Sequence, residues 1–334
     1  MAKLRVVVLM GGRSGEHEVS LVSARAVMAA LDQRKYQVSP ILITREGRWM
    51  ERGRLLRSLW MRLTRCEVVL PILHGPYGED GTVQGLLEMV GVAYAGAGVL
   101  GSAVGMDKDV MKRLFREARL PVGPYVALRP GEWERDRSGV EQRLERALGY
   151  PMFVKPANLG SSVGISKVHN QGELPRALRL AARYDAKLVV ERGLEARELE
   201  CAVLGNDAPQ ASAVGEVIPG REFYDYRAKY SQAGSRTLAP APIPARTAAR
   251  VRALAVRAFA ACEGSGLARV DFFLENATGR VFVNEVNTMP GFTPISMYPM
   301  LWAASGLPFP ALLDRIIALA LERNRARRGL RVGQ

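Results

Sequence analysis

The sequence predicts an α/β protein whose first third is a parallel, doubly wound unit. Strand-like apolar segments alternate there with helix-like segments, and continuous apolar strands are typical of parallel sheets buried on both faces. A second observation comes from the C-terminal third, where two strand-like segments flank a turn sequence that favours a hairpin. The chain has 334 residues, which is enough for about two or three domains.

The first third contains the elements of this doubly wound unit. Arg5–Met10 is a continuous apolar strand, and after a glycine turn Val19–Leu31 is predicted to be a helix. Further strands are predicted at Gln37–Ile43 and Glu67–Leu73. From Gly96 to Arg119 the sequence predicts a loop followed by a helix.

The rest of the chain continues with strands, helices and loops. The middle third is predicted to hold two strands joined by a glycine- and serine-rich loop, then a helix and a strand: Tyr150–Val154, Val163–Val168, Leu174–Tyr184 and Ala186–Glu191. The last third is predicted to hold an alternating strand, an aromatic loop, a proline-rich exit, a helix and two strands: Glu198–Leu204, Glu222–Tyr230, Ala239–Pro244, Thr247–Glu263, Ala268–Leu274 and Arg280–Glu285. The last two strands flank Asn276–Gly279, a good hairpin turn.

Composition narrows the class of protein. The net charge is +14, but the arginines are scattered, so we expect no nucleic-acid partner. The dense basic cluster Arg323–Arg331 is expected to be a solvated helix end. No apolar run approaches the roughly 18 residues of a membrane helix, and three widely spaced cysteines make no disulfide framework. We therefore expect a cytoplasmic protein without a membrane segment.

Two glycine motifs are weak matches to other functions. Gly96–Gly101 fits the dinucleotide pattern G-x-G-x-x-G but has little strand before it, so a flexible approach to a helix is favoured. Gly160–Gly164 fits the hydrolase pattern G-x-S-x-G, yet a strand-like segment follows where a hydrolase needs a helix. The late histidine of a hydrolase is also missing, since the only later one is His169.

The strongest chemical signal is the predicted C-terminal hairpin. Side chains alternate along a strand, so Arg269 shares a face with Asp271, and Glu285 shares one with Asn287. The turn between the strands places the two pairs opposite each other. Oxygen ligands of this kind suit Mg²⁺ or Mn²⁺ completed by phosphate and water. A surface ladder of ion pairs is the alternative, but the neighbouring residues are apolar, which favours the metal site.

Lysine is rare in this sequence, with eight residues, and three of them stand where phosphate could bind. Lys155 precedes the loop that ends at Gly164, and such a loop can turn its backbone N–H groups toward phosphates. Lys108 and Lys229 are the other two. A flexible hairpin tip is the alternative for the loop.

Two further segments predict a substrate site at the carboxyl ends of strands. In Gly11–Ser20 a helix N-terminus favours a carboxylate, and Glu16 is placed to hold an ammonium group. His74–Gly85 is a polar loop after an apolar strand, the usual ligand position in open α/β sheets, although turn formation explains its glycines equally well.

Taken in order, these segments resemble the D-alanine–D-alanine ligase family of the ATP-grasp superfamily. The markers, which together span almost the whole chain, are GGRSGEHEVS, HGPYGEDGTVQG, MDK, FVKPANLGSSVG, FYDYRAKY, ARVDFF and NEVNTMPGFTPISMYP. The resemblance implies a three-domain ATP-grasp architecture, in which a parallel doubly wound domain precedes two α+β domains that enclose ATP. The limits implied are 1–97 for substrate, 98–191 for the phosphate loop and 192–334 for the lid and metal site.

The resemblance also assigns the cofactors. It implies that Lys108 and Lys155 contact the phosphates of ATP, that Lys229 approaches the γ-phosphate, and that Glu191 lies at the adenine and Glu198 at the ribose. The remaining implied cofactor residues are Ser162 of the phosphate loop and the ligands of two Mg²⁺ or Mn²⁺ ions, Asp271, Glu285 and Asn287.

The activity implied is the ATP-dependent joining of two D-alanine molecules through an acyl phosphate, for peptidoglycan synthesis, by a homodimer. Glu16 would bind the first ammonium group, and Ser161 and Tyr230 would join it in a hydrogen-bonded set. Arg269 and the backbone N–H of Gly291 would stabilise the oxyanion. The residue implied near the carboxylate of the second substrate is Ser296.

Tyr230 bears on the second substrate, because in this family a lid tyrosine accompanies D-alanine whereas depsipeptide-forming relatives depart there. The resemblance therefore favours a dipeptide product. Ligation to D-lactate or D-serine and another ATP-grasp carboxylate–amine ligation stay open as alternatives, and a basic nucleic-acid-binding protein is disfavoured.

Overall fold

The computed structural model describes residues 2–161, 163–218, 236–293 and 295–330. Its strands form three sheets of six, four and five strands within these residues, and helices pack against them. The mixed α/β class predicted from the sequence is confirmed.

The first sheet contains the parallel unit. Its strands run in the order β4-β3-β2-β1-β5-β6; β2, β1, β5 and β6 are parallel, whereas β3 and β4 form an antiparallel edge. The elements are β1 (Leu4–Gly11), α1 (His17–Ala30), β2 (Tyr36–Ile43), β3 (Trp49–Glu51), β4 (Arg54–Leu55), α2 (Leu59–Leu63), β5 (Val68–Pro71), α3 (Thr82–Val90) and β6 (Ala93–Tyr94). The predicted parallel arrangement is thus confirmed for four strands.

The second sheet is antiparallel, in the order β7-β10-β8-β9. The elements of this region are α4 (Val99–Met106), α5 (Lys108–Glu117), β7 (Tyr125–Leu128), α6 (Pro130–Arg135), α7 (Arg137–Leu148), β8 (Met152–Pro156), β9 (Ser166–Val168), a 3₁₀ turn (Gln171–Glu173), α8 (Leu174–Ala181) and β10 (Leu188–Arg192). The loop between β8 and β9 is the predicted phosphate loop.

The third sheet is also antiparallel, in the order β13-β12-β11-β14-β15. Its elements are β11 (Ala196–Gly205), β12 (Gln210–Ile218), β13 (Arg236–Leu238), α9 (Ala245–Ala261), β14 (Gly266–Glu275), β15 (Val281–Asn287), α10 (Met297–Ala304) and α11 (Phe309–Arg328). The β14–β15 hairpin is the one predicted from the sequence.

The hydrophobic cores join parts of the chain that are far apart in sequence. Val6 and Leu70 of the first sheet share a core with Tyr298 and Leu312 of the two C-terminal helices. Phe115 of α5 belongs to the core of the third sheet. The three domain limits stay a prediction from the sequence.

The segment Gly96–Arg119 forms two helices instead of the single predicted helix. Asp107 separates them, and its carboxylate accepts hydrogen bonds from the backbone N–H groups of the first turn of α5. Packing accounts for the last glycine of the G-x-G-x-x-G pattern without a bound dinucleotide. A Cβ on Gly101 would collide with the carbonyl oxygen of Glu263 at the end of α9.

One residue of the C-terminal basic cluster, Arg323, differs from the prediction of a solvated helix end, whereas Arg325, Arg327 and Arg328 are exposed as predicted. Arg323 of α11 is half-buried and donates hydrogen bonds to the carbonyl oxygens of Gly96 and Tyr94 (3.0 Å for Tyr94) and to Ser265 Oγ at 2.6 Å. Its guanidinium also lies over the Tyr94 ring, 4.3 Å from the centroid. Arginine is used here as a rigid multi-donor group that ties the last helix to the first sheet.

Among the residues that the structure describes, no single helix is long and apolar enough to cross a membrane. Helices α10 and α11 reach the required length only as a pair bent by 104°.

Candidate active site

The β14–β15 hairpin brings four polar side chains to one face of the third sheet. In the strand register Arg269 stands opposite Asn287, and Asp271 stands opposite Glu285. All four are partly exposed, while the neighbouring Val270 is fully buried. The common polar face predicted from the sequence is therefore present.

A β-bulge makes this face possible. The register slips by one residue between Asp271, which pairs with Glu285, and Phe272, which pairs with Val283. Strict alternation would put Val283 on the same side as Glu285, yet Val283 is buried in the core. The extra residue, Asn284, turns the strand so that Glu285 joins the polar face, a use of bulges that is common near active sites.

Arg269 is held by carboxylates on this face. Its Nε lies 2.6 Å from Asp271 Oδ1 and 2.9 Å from Glu200 Oε2, and a second guanidinium nitrogen donates to Asp271 Oδ2 at 2.7 Å. Burial by itself would lower the pKa of Arg269, but the adjacent Asp271 and Glu200 carboxylates outweigh it and raise that pKa well above its ordinary value. A permanent cation with a fixed orientation results.

The carboxylate and amide oxygens on the hairpin face are suitable ligands for a hard divalent cation. Asn287 donates a hydrogen bond from Nδ2 to Asp271 Oδ2 at 2.9 Å, and Glu285 stands directly opposite Asp271 in the strand register. Carboxylate and amide oxygens without sulfur or imidazole suit Mg²⁺ or Mn²⁺. Within the described ranges, no three acidic, histidine or cysteine side chains form a complete metal cage. Such an ion would therefore depend on further oxygens from a ligand or water.

The phosphate loop is connected to this face through Lys108, the first residue of α5. Its Nζ donates to the carbonyl oxygen of Leu159 in the loop at 2.7 Å and lies 3.9 Å from Glu285 Oε2. The side chain is 10% exposed, so the charge is only weakly screened. One ammonium group thus faces both the loop and the oxygen donors.

Lys155 and Glu191 form a buried ion pair on adjacent strands. Lys155 Nζ lies 2.8 Å from Glu191 Oε2, and the two side chains are 11% and 9% exposed. Burial alone would lower the pKa of Lys155, but Glu191 outweighs it and the net shift is upward. Burial would likewise raise the pKa of Glu191, yet Lys112 and Lys155 lower it to about 2. Both groups are charged at neutral pH.

Lys112 is a site residue that the sequence reasoning missed. It lies one turn after Lys108 on α5, and its side chain is 3% exposed. Its Nζ lies 3.2 Å from Glu191 Oε1 and donates to the carbonyl oxygen of Asn284, the bulge residue, at 3.0 Å. The available signal was the four-residue spacing from Lys108, which places both lysines on one face of a helix.

Glu16 and Ser161 come together as the family resemblance implies. The Ser161 hydroxyl donates a hydrogen bond to Glu16 Oε1, although 145 residues separate them. Ser161 has a φ of +53°, a left-handed conformation that is uncommon for a residue with a side chain and is often found at functional sites. Gly75 and Gly160 approach the same carboxylate so closely that a Cβ would lie 2.6 Å and 3.2 Å from Glu16 Oε2.

The polar loop after β5 also packs against the C-terminal part of the chain. The Met289 N–H donates to Glu79 Oε1 at 3.2 Å, and the Met289 carbonyl oxygen is 3.0 Å from His74 Nδ1. Burial foremost, and then the charge of Glu16, raise the pKa of Glu79 to about 8. Burial likewise lowers the pKa of His74. The loop therefore fixes Met289, two residues before Gly291.

Three other predicted residues lie at the edges of this region. Gly291 and Ser296 are neighbours, since a Cβ on Gly291 would be 2.8 Å from Ser296 Oγ, and that hydroxyl is 2.8 Å from Thr293 Oγ1. Glu198 of β11 is half-buried, and its charge contributes to the raised pKa of Lys155. The predicted site residues Ser162, Lys229 and Tyr230, with the lid segment 221–235, lie outside the described residues.

Comparison with known proteins gives matches over nearly the entire chain. A family model described as D-ala D-ala ligase N-terminus matches residues 5–61 and 57–97, and one described as D-ala D-ala ligase C-terminus matches residues 114–318. The D-alanine–D-alanine ligase of Solibacter usitatus is 52% identical, and the match covers 97% of this chain and 97% of that protein.

Solved structures give the same result. The D-alanine–D-alanine ligase of Coxiella burnetii superposes with a TM-score of 0.85 at 38% identity, covering 98% of this chain and 97% of that one. The VanG D-Ala:D-Ser ligase of Enterococcus faecalis also has a TM-score of 0.85, at 34% identity, covering 96% of this chain and 100% of that one.

Proposed function

Because the chain belongs to the D-alanine–D-alanine ligase family of ATP-grasp enzymes, we propose that it joins two molecules of D-alanine into D-alanyl-D-alanine with ATP. The carboxylate of the first D-alanine takes the terminal phosphoryl group of ATP and becomes an acyl phosphate, and ADP is released. The amine of the second D-alanine then attacks that carbonyl. The product is a precursor of peptidoglycan.

The observation that carries the proposal is the contact between the hairpin face and the phosphate loop. Lys108 reaches both at once, through Leu159 and Glu285. Phosphoryl transfer depends on positioning and on cations that balance the charge of the phosphates, rather than on covalent chemistry. Lys108 and Lys155 are the cations that we assign to the phosphates, and Glu191 and Glu198 are assigned to the adenine and the ribose.

The oxygen donors of the hairpin are assigned to the divalent cations. Asp271, Glu285 and Asn287 would hold Mg²⁺ or Mn²⁺ beside the phosphates, where such ions neutralise developing negative charge. We propose two ions, as in the family. Asp271 also holds Arg269, so the same carboxylate orients the cation that we assign to the acyl centre.

The first D-alanine is assigned to the pocket between α1 and the phosphate loop. Glu16 would accept hydrogen bonds from the ammonium group, and the N-terminus of α1 would favour the substrate carboxylate. The hydrogen bond from Ser161 orients Glu16 and connects it to the loop that would cover the phosphates. Tyr230 would complete this set.

The second step forms an amide bond and breaks the bond between the acyl carbon and the phosphate oxygen. The carbonyl oxygen carries negative charge in the tetrahedral intermediate, phosphate leaves, and the proton lost by the attacking amine goes to the departing phosphate. Arg269 and the N–H of Gly291 are assigned to that oxyanion, since preorganised donors stabilise it most effectively. Ser296, beside Gly291, is assigned to the carboxylate of the second D-alanine.

The finer biological setting is also proposed. The three sheets support three domains with limits at 1–97, 98–191 and 192–334. We propose a cytoplasmic homodimer, as the family resemblance implies.

Ligation of D-alanine to D-serine is the second candidate. It is favoured by the D-Ala:D-Ser ligase of Enterococcus faecalis, whose TM-score equals that of the D-alanine–D-alanine ligase structure. The higher identity to D-alanine–D-alanine ligases and the lid residue Tyr230 favour D-alanine.

The test is ADP release from ATP and Mg²⁺ with D-alanine alone, and with D-serine or D-lactate in competition, with products identified by mass. We expect D-alanine-dependent ADP and D-alanyl-D-alanine, lost in Glu285→Ala and retained in the control Glu275→Ala, which removes a carboxylate at the far end of the same hairpin. Equal or better use of D-serine or D-lactate at neutral pH would overturn the choice of second substrate, and ADP release independent of D-alanine would overturn the function.

A further inference from the structure

The bulge in β15 leaves Asn284 without an opposite residue on β14, at the edge of the third sheet. The antiparallel register shifts by one residue between Asp271 and Phe272, so Asn284 is the extra residue of the bulge. An unpaired backbone group in a protein interior must find a donor elsewhere. Lys112 is the donor, at 3.0 Å from the Asn284 oxygen.

The same ammonium group holds the nucleotide side of the site. Lys112 Nζ is 3.2 Å from Glu191 Oε1, while Lys155 holds the other oxygen, Oε2. Two lysines from different elements therefore fix the orientation of one buried carboxylate. The ammonium group also lies over the Tyr125 ring, with Nζ 5.9 Å from the centroid.

Helix α5 connects these contacts rigidly. Lys108 and Lys112 are four residues apart, so they project from one face of the helix. Lys108 faces the phosphate loop and Glu285, whereas Lys112 faces Glu191 and the residue just before Glu285. The side chain of Met111 adds a third contact, accepting the Val286 N–H at 3.2 Å. One helix face therefore spans both halves of the proposed ATP site.

We propose that Lys112 is a positioning residue that sets the geometry of the metal ligand Glu285 and of the nucleotide-binding Glu191 through one buried ammonium group. It touches neither substrate nor phosphate in this proposal, which rests on the proposed function for the identity of the ligands. Loss of its charge frees the bulge carbonyl and one oxygen of Glu191 together. The binding of nucleotide and of metal should therefore weaken together, and the D-alanine site should be unaffected.

The test compares Lys112→Met with Lys187→Met, a matched control. Lys187 is also a partly buried lysine, and it is paired with two carboxylates, those of Asp107 and Asp109, but it does not contact Glu191 or the bulge. Binding of ADP is measured by calorimetry across a series of Mg²⁺ concentrations. We expect ADP affinity to fall about tenfold or more in Lys112→Met, the usual effect of removing a residue that orients ligands, and the Mg²⁺ requirement to rise. In Lys187→Met both should stay within about twofold.

Three further measurements keep a structural effect apart from positioning. In the D-alanine assay, KM for ATP should rise in Lys112→Met while KM for D-alanine stays constant. Lys112→Gln, which keeps N–H donors but loses the charge, should be intermediate and replaces the methionine variant if that variant does not fold. In combination with Glu191→Gln the ADP effects should be less than additive. Equal losses in the Lys112 and Lys187 variants, or additive effects, would overturn the proposal. The calorimetric measurement of ADP binding does not use D-alanine. It therefore tests this inference even if the proposed ligation of D-alanine is wrong.

Discussion

Glu79 should make the stability of the protein fall as pH rises from acid to neutral. Burial and the Glu16 carboxylate raise its pKa from 4.5 to about 8 in the folded protein. Between these values the folded state holds a proton that the unfolded chain releases. Since the unfolded state then binds fewer protons, the free energy of unfolding decreases with pH across this window. Most carboxylates with ion-pair partners act in the opposite direction.

The size of the effect follows from the shift in pKa. At about 1.4 kcal/mol per pKa unit, the contribution of Glu79 falls by at most about 3 kcal/mol between about pH 5.5 and 8. The unfolding entropy is about 2.1 cal/mol/K per residue, so 3 kcal/mol corresponds to roughly 4 °C for 334 residues.

Glu79→Gln removes the titration and is compared with wild type by differential scanning calorimetry at several pH values. The variant loses part of the hydrogen bonding to Gly75 and Met289, so it should be less stable than wild type at acid pH. The difference in the free energy of unfolding should shrink as pH rises, because wild type loses stability and the variant does not. Glu67→Gln is the control, because its hydrogen bond from Arg5 lowers the pKa of Glu67 and its effect should be constant above about pH 5.5. A difference between Glu79→Gln and wild type that does not change with pH would refute the reasoning.

Two other substitutions test contacts described above. Arg323→Met removes the donor to two backbone carbonyls and should lower the free energy of unfolding by about 2–3 kcal/mol, or roughly 3–4 °C by calorimetry. The control Arg325→Met, at an exposed position, should change it by less than about 0.5 kcal/mol. Equal effects of the two substitutions would mean that Arg323 is part of a solvated helix end. Ser161→Ala removes the hydrogen bond to the Glu16 carboxylate, worth about 1.5–3 kcal/mol. It should raise KM for D-alanine about tenfold or more, while KM for ATP stays within about twofold. A parallel rise in both KM values would contradict the assignment of Glu16 to the first substrate.

The face of the C-terminal hairpin could be predicted from the sequence because strand alternation is a local property. Arg269 with Asp271, and Glu285 with Asn287, follow from a period of two and a good turn. The bulge could not be predicted, since it depends on which residues of β15 the core accepts. Val283 and Val286 are both buried only because Asn284 is extra.

Contacts between segments far apart in sequence were the main feature that could not be predicted from the sequence. Arg323 looked like one of many surface arginines, because nothing near it in sequence indicates that Tyr94 and Gly96 expose their carbonyl oxygens to it. Lys112 was missed for the same reason, since its partners are Glu191 and Asn284. The family resemblance supplied the long-range pair Glu16 and Ser161, which no local pattern connects.

The buried ion pairs of the site are better explained by ligand binding than by stability. Removing two charges from water costs several kcal/mol per ion, and their mutual attraction often only balances this cost. Lys155–Glu191 and Arg269–Asp271 nevertheless keep side chains that are at most 16% exposed. Each pair leaves a charged group next to the phosphate loop or the hairpin face. A site built in this way presents charges whose orientation is already fixed, which is what a reaction dominated by phosphate and oxyanion charge requires.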